Sequence, residues 1–257
     1  MKSAQVIDHL IQDHIVESEA YHLNWPSEEL SKGFIDNLQD RFLVLGRKAI
    51  DINGVSLESY LSDHENVAIP PGMPENWTSF GHLRKWEVFV SRHLFESMKD
   101  EIAPSPCSIE DSYSKGNGKY IVSISHSRGV IRVALGLRDQ IKYLGIDVER
   151  VDRKALAKED LWLKISTDKD RKLLADAQMD GLLYRSILFS TKESIYKYAY
   201  PFYGKYFGFQ EAELVRVAED HFIFKSHVLE NIQQEQVRVN YQIIEDYVYS
   251  VALLTTS

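Results

Sequence analysis

Cysteine occurs once in 257 residues, at Cys107, so no disulfide can close within the chain. That excludes the stapled small-domain folds and suits a reducing cytosol. Long apolar runs are missing too: no stretch approaches the ~20 residues that a helix needs to cross a bilayer. The opening residues lack the basic-then-apolar pattern of a leader, and Val6, Ile7, Leu10, Ile11 and Ile15 fall instead on one face of an expected helix. There is no basic excess. With 30 Lys and Arg against 38 Asp and Glu, the formal charge is −8, which argues against non-specific nucleic-acid binding. What is present is an ordinary globular composition, 44% hydrophobic and 26% charged, at a length suited to one large domain or two lobes. The expectation is a cytoplasmic protein.

Along the chain, Ser27 as a cap and Glu28 and Glu29 in a first turn predict a helix over residues 27–50. Pro70, Pro71, Gly72 and Pro74 predict a loop over 64–79, and Trp86, Val90, Leu94 and Met98 set helical spacing over 80–100. A second irregular stretch runs from Pro104 to Gly118. Residues 120–125, 130–137 and 141–149 then read as strands, the last two joined as a hairpin by 138–140. Residues 155–200 read as helical with breaks near Ser166 and Gly181, and strands return from Glu211 onward. The strand at 248–253 resembles the one at 130–135, a pattern expected of a duplicated α+β unit with a cleft between its halves.

The chemistry concentrates in the second half. Asp147 and Glu149 are two apart on a predicted strand, so they share a face opposite Leu144, Ile146 and Val148. Crowded carboxylates repel unless a positive charge lies between them, and a hard cation such as Mg²⁺ suits oxygen ligands. Mg²⁺ commonly shares its shell with a phosphorylated substrate, which points to phosphate chemistry. The Ser123–Ser127 run, with His126 inside it, ends a strand and suits an anion-binding turn, or else an ordinary exposed one. Taken alone, each piece also has a plain reading. Glu193 and Lys197 make an i,i+4 surface pair of roughly 0.3–0.5 kcal/mol, Lys192 is a solvated lysine, and Asp147 and Glu149 are edge-strand charges.

Together, the residues 123–127, 144–149 and 189–197 resemble the signature series of the 4′-phosphopantetheinyl transferases. The length resembles the large monomeric branch, surfactin-type and enterobactin-synthase-type. Residues 41–50, with Gly46-Arg47, are similar to that branch's N-terminal basic motif. Two departures stand out: Lys115–Tyr120 replaces a proline- and tryptophan-containing stretch, and the family pattern does not foreshadow the helix at 80–100. The resemblance implies an α+β fold of two similar lobes about a pseudo-twofold axis, residues 1–140 and 141–257, with an irregular insertion near 64–118. Coenzyme A would lie in the cleft as substrate, and the partner would be an apo acyl or peptidyl carrier protein.

The resemblance also implies roles. Asp147, Glu149 and Glu193 would hold Mg²⁺, with Glu193 as the catalytic base and Lys197 contacting the pyrophosphate. Lys192 would join Lys197 at the pyrophosphate, Ser125 and His126 would bind phosphates of coenzyme A, and Arg41 and Arg47 would address its 3′-phosphate. Carrier proteins are acidic, so Arg41, Arg47, Lys48, Lys192, Lys197 and Lys205 would have to gather locally. Tyr200, Phe202, Tyr203, Tyr206 and Phe207 face the carrier or pack on the core. A monomer without membrane or nucleic-acid partners is expected. Two alternatives stay open: a non-catalytic protein binding coenzyme A or a carrier, and a metal-dependent hydrolase of the coenzyme A pyrophosphate.

Overall fold

The computed structural model describes residues 18–19, 44–49, 76–102, 118–179, 181–232 and 235–256, with Glu58, Ser62 and Met73 standing singly between them. Strands β1 (Ser18–Glu19), β2 (Val44–Ala49), β3 (Tyr120–Ser127) and β4 (Val130–Leu137) form one antiparallel sheet in the order β1-β2-β4-β3. Strands β5 (Ile141–Arg150), β6 (Glu213–Val217), β7 (His221–Lys225), β8 (Val237–Ile244) and β9 (Tyr247–Thr255) form a second, ordered β5-β9-β8-β7-β6. The helices are α1 (His82–Ile102), α2 (Glu159–Ile165), α3 (Asp168–Asp176), α4 (Leu182–Tyr203) and α5 (His227–Asn231). The class is α+β, as expected.

Side-chain alternation along β4 explains the layering. Ile131, Val133 and Leu135 join Trp86, Phe89, Phe95 and Met98 of α1 in one core. Ala134, on the opposite face, packs with Ile121, Leu144, Ile146 and Val251 between the two sheets. The largest core clusters α4 with the second sheet around Tyr143, Ile195, Tyr198, Phe222 and Phe224. Each fully buried side chain of this size contributes about 1.5–3 kcal/mol.

Two expectations are corrected. Residues 44–49 are a strand and not the end of a helix over 27–50, because Val44–Ala49 pairs antiparallel with β4 from Leu135 to Val130. Gly46 disfavours a helix interior, and an apolar neighbouring strand decides the segment. The rest of 27–50 lies outside the described residues, as do the helix at 6–15 and most of the loop at 64–79. The expected hairpin of β4 with β5 is also absent. β4 pairs with β3 through a two-residue turn, Arg128 and Gly129, whose φ values of 49° and 86° fit a right-twisted hairpin. β5 leaves to pair with β9 in the other sheet. The helix breaks near Ser166 and Gly181 are present, between α2 and α3 and at the start of α4.

One contact fixes the central helix. A Cβ on Gly145 would lie 2.0 Å from the Ser194 carbonyl oxygen and 2.5 Å from the Tyr198 amide nitrogen. Only glycine lets α4 lie this close to β5. Ser190 and Ser194 add hydrogen bonds of 2.8 and 2.7 Å to Ser250 on β9, so small hydroxyl residues line the contact.

Candidate active site

The edge strands of the two sheets, β3 and β5, meet through serines. Ser123 Oγ accepts from the Ile146 amide at 2.9 Å, and Ser125 Oγ accepts from the Val148 amide at 3.1 Å. Each hydroxyl takes the place that a backbone carbonyl would hold in a continuous sheet. Ser125 then donates to Asp147 Oδ1 at 2.7 Å, and Ser127 donates to Glu149 Oε1 at 3.1 Å. The period of two thus aligns serines on one strand with carboxylates on the other.

Helix α4 covers this seam. Lys197 Nζ donates to Asp147 Oδ1 at 2.8 Å. Asp147 is only 5% exposed, and its second oxygen, Oδ2, has no hydrogen-bond partner among the described residues. An unsatisfied buried carboxylate oxygen is costly, so its persistence here calls for an explanation. Glu149 differs, since Oε1 also accepts from the Arg150 amide at 2.9 Å and Oε2 pairs with Arg153. Arg153 in turn stacks its guanidinium 4.9 Å from the Phe189 ring centroid.

Glu193 sits one helical turn before Lys197. Burial, followed by the charge of Asp147, pushes its carboxyl up to about 7, against the opposing pull of Lys197 and Arg153. No pair between Glu193 and Lys197 forms; the lysine reaches Asp147 instead. The expected surface ion pair is therefore replaced by a contact between helix and strand. Among the described residues, no three His, Cys, Asp or Glu side chains are drawn together as a ready-made metal cage.

The other expected site residues divide. Ser125 joins the acidic cluster, whereas His126, the next residue, points to the opposite face of β3 and pairs through Nδ1 with Glu87 Oε2 at 2.9 Å. Lys192 does not reach the cluster. Its ammonium is fully buried and donates to Asp170 Oδ2 at 2.6 Å and to the carbonyls of Ile165 and Phe209, each at 3.0 Å. The backbone of Arg47 lies opposite Arg132 in the β2–β4 ladder, while Arg41 falls outside the described residues.

Next to Glu193 opens a pocket of about 180 Å³ lined by Lys192, Glu193, Tyr196, Tyr206, Phe207 and Phe209. The aromatic run after α4 splits accordingly. Phe207 is buried and Phe202 packs against Tyr143, but Tyr200 and Tyr206 are exposed, Tyr206 at 78%. Sequence reasoning missed Glu87 and Arg153. Neither stands in a motif, though Arg153 lies four residues beyond Glu149, within reach once the chain turns.

Comparison with known proteins bears on the same residues. Residues 143–252 match the family model of the 4′-phosphopantetheinyl transferase superfamily, a span that holds Asp147, Glu149, Glu193 and Lys197. No curated protein matches the chain. Among solved structures, a holo-(acyl-carrier-protein) synthase from Bacillus anthracis in complex with CoA (3′,5′-ADP) is 16% identical. It covers 46% of this chain and 99% of its own, with a TM-score of 0.32. A holo-ACP-synthase from Plasmodium yoelii is 19% identical over 46% of this chain and 96% of its own, with a TM-score of 0.36. Over residues 143–252, then, the chain is similar to the 4′-phosphopantetheinyl transferase superfamily.

Proposed function

We propose that this protein transfers the 4′-phosphopantetheine group of coenzyme A to a serine of an apo acyl or peptidyl carrier protein, releasing adenosine 3′,5′-bisphosphate. The observation that carries the reading is Asp147. It is a buried carboxylate at the seam of two sheets, held by Ser125 and Lys197 through one oxygen and, among the described residues, left unpartnered at the other. The two lobes, 1–140 and 141–257, would be related by a pseudo-twofold axis with coenzyme A between them.

The donor set fits a hard divalent cation. Asp147 has an orphaned oxygen among the described residues, and burial, followed by the charges of Asp147 and then Glu149, drives Glu193 toward its protonated form. Asp147, Glu149 and Glu193 would hold Mg²⁺, with Arg153 giving up part of its hold on Glu149. When bound, such an ion supplies Lewis-acid neutralisation of charge on the pyrophosphate. The remaining roles fall to side chains. Glu193, with its carboxyl near neutrality, takes the proton of the carrier serine as its oxygen attacks the β-phosphate. Lys197 sits where charge builds on the departing bisphosphate and offsets it. Arg47, with its forked guanidinium, addresses the 3′-phosphate, as does Arg41. Lys192 we assign to structure, since its ammonium donors are taken by buried acceptors.

Intact-mass spectrometry tests the reading: several apo carriers are incubated with the protein, coenzyme A and Mg²⁺, with an EDTA control. A metal-dependent gain of one phosphopantetheinyl group is expected. Coenzyme A bound without mass gain would favour a non-catalytic binding protein, and coenzyme A cleaved without gain a hydrolase. The spread of gain across carriers would identify the pathway class and the tolerance for different carriers.

A further inference from the structure

Helix α1 has a role that the acidic cluster does not use. Its Glu87 is buried, with a side chain 6% exposed, and a buried carboxylate needs a specific reason to be there. Oε2 accepts from His126 Nδ1 at 2.9 Å and stands 3.7 Å from Arg84, while Oε1 accepts from the Gly129 amide at 3.4 Å. One carboxylate therefore grips the chain at two points of the β3–β4 connection, at His126 before the turn and at Gly129 within it. Gly129 and Arg128 both have positive φ, so the turn is a tight one whose placement the grip reinforces.

The imidazole of His126 is about a third exposed. With Nδ1 facing Glu87, Nδ1 carries a proton and Nε2 is the nitrogen that Glu87 leaves untouched. Among the described residues Nε2 has no partner. A carboxylate behind a histidine is a recurrent device for orienting the ring toward a ligand, because it locks both rotamer and tautomer. In the imidazolium form, Nε2 is an N–H donor and so suited to an anionic oxygen.

We infer that Glu87 is a positioning residue, which clamps His126 and the adjoining turn so that Nε2 is presented to a phosphate of coenzyme A. The inference rests on the transferase reading for the identity of the ligand. It gives α1, which lies outside the matched family span, a part in the site. It also separates His126 from Ser125: the two neighbours act on opposite faces of β3, one toward the phosphate and the other toward Asp147.

The test compares Glu87→Ala, Glu87→Gln and His126→Ala, together with the Glu87→Ala/His126→Ala double variant. Losing an oriented, charge-assisted contact is worth about tenfold, so Glu87→Ala should raise the KM for coenzyme A by about that factor, with a smaller fall in kcat. Glu87→Gln should recover part of it, since an amide oxygen still accepts from Nδ1. It also serves as the folded comparator if the alanine variant does not fold. In the His126→Ala background, removing Glu87 should add nothing further. Multiplying effects in the double variant, or an unchanged KM in Glu87→Gln and Glu87→Ala, would overturn the inference.

Ring ¹⁵N NMR of His126 provides a second readout that needs no turnover. Coenzyme A should shift the wild-type Nε2 resonance and shift it less in Glu87→Gln. If the wild type transfers nothing to any carrier, the transferase reading fails and this titration alone decides the inference. An Nε2 resonance that coenzyme A leaves unmoved would then sink it.

Discussion

Helix α4 carries two lysines that reach buried aspartates, and the two pairs have opposite characters. Lys192 and Asp170 are both wholly buried and wholly satisfied. Asp170 accepts from the amides of Leu214 and Thr167, each at 2.8 Å, in addition to the lysine. Burial lowers the Lys192 ammonium's pKa, and the charge of Asp170 opposes that shift. Lys197, five residues along, pairs with Asp147; the lysine side chain is 25% exposed, and one aspartate oxygen has no partner among the described residues. The first pair is finished and ties α2, α3 and the turn before β6 to the helix. The second is unfinished. Completeness of hydrogen bonding, more than burial or residue type, separates the two ion pairs.

That contrast can be broken from either side. The largest effect expected is on catalysis: Asp147→Ala or Glu193→Ala should lower transfer by at least about a thousandfold, near 4 kcal/mol, with the fold retained. Holo-carrier formation by mass, with circular dichroism as the fold check, reads it. Next comes Lys192→Met, which leaves Asp170 buried and unpaired. It should cost about 3–5 kcal/mol of stability in denaturant titration, while the folded fraction keeps its activity. Lys197→Ala should reduce kcat by about a hundredfold with a small change in stability, because the lysine side chain is 25% exposed and Asp147 Oδ1 keeps its hydrogen bond from Ser125.

The smallest effect sharpens the comparison through pH. The Glu193 carboxyl is raised to about 7 by burial and Asp147. Below pH ~4.5 it is protonated in both folded and unfolded states and carries no penalty. As pH rises through 7, the unfolded chain has already ionised and the folded one must follow against repulsion, so stability is lost. Glu193→Gln should therefore be more stable than wild type at pH 8 by something on the order of 2 kcal/mol, allowing for partial exposure. At pH 4 the two should match, and thermal melts at both pH values in EDTA check this.

The acidic face was legible in sequence because a strand's period of two is rigid: Asp147 and Glu149 had to share a side, and Ser123, Ser125 and Ser127 had to share another. The breaks at Ser166 and Gly181 were legible through capping and glycine chemistry. Long-range pairing was not. The sequence around 138–140 permits a hairpin, and nothing local records that β5 prefers β9. The strand at 44–49 was hidden because β4 makes it a strand and its own composition does not. Lys192 reads as a site residue from its place in the motif, and nothing local records that Asp170 and two carbonyls take up its ammonium. Glu87 left no local signal because its partner lies 39 positions away, at His126.

The most direct test of the contrast is the rate of phosphopantetheine transfer per folded molecule, measured for Asp147→Asn beside Asp170→Asn. The account predicts that Asp147→Asn folds like wild type and transfers essentially nothing, while Asp170→Asn is strongly destabilised yet its folded fraction transfers at the wild-type rate. Near-wild-type transfer by Asp147→Asn would contradict it.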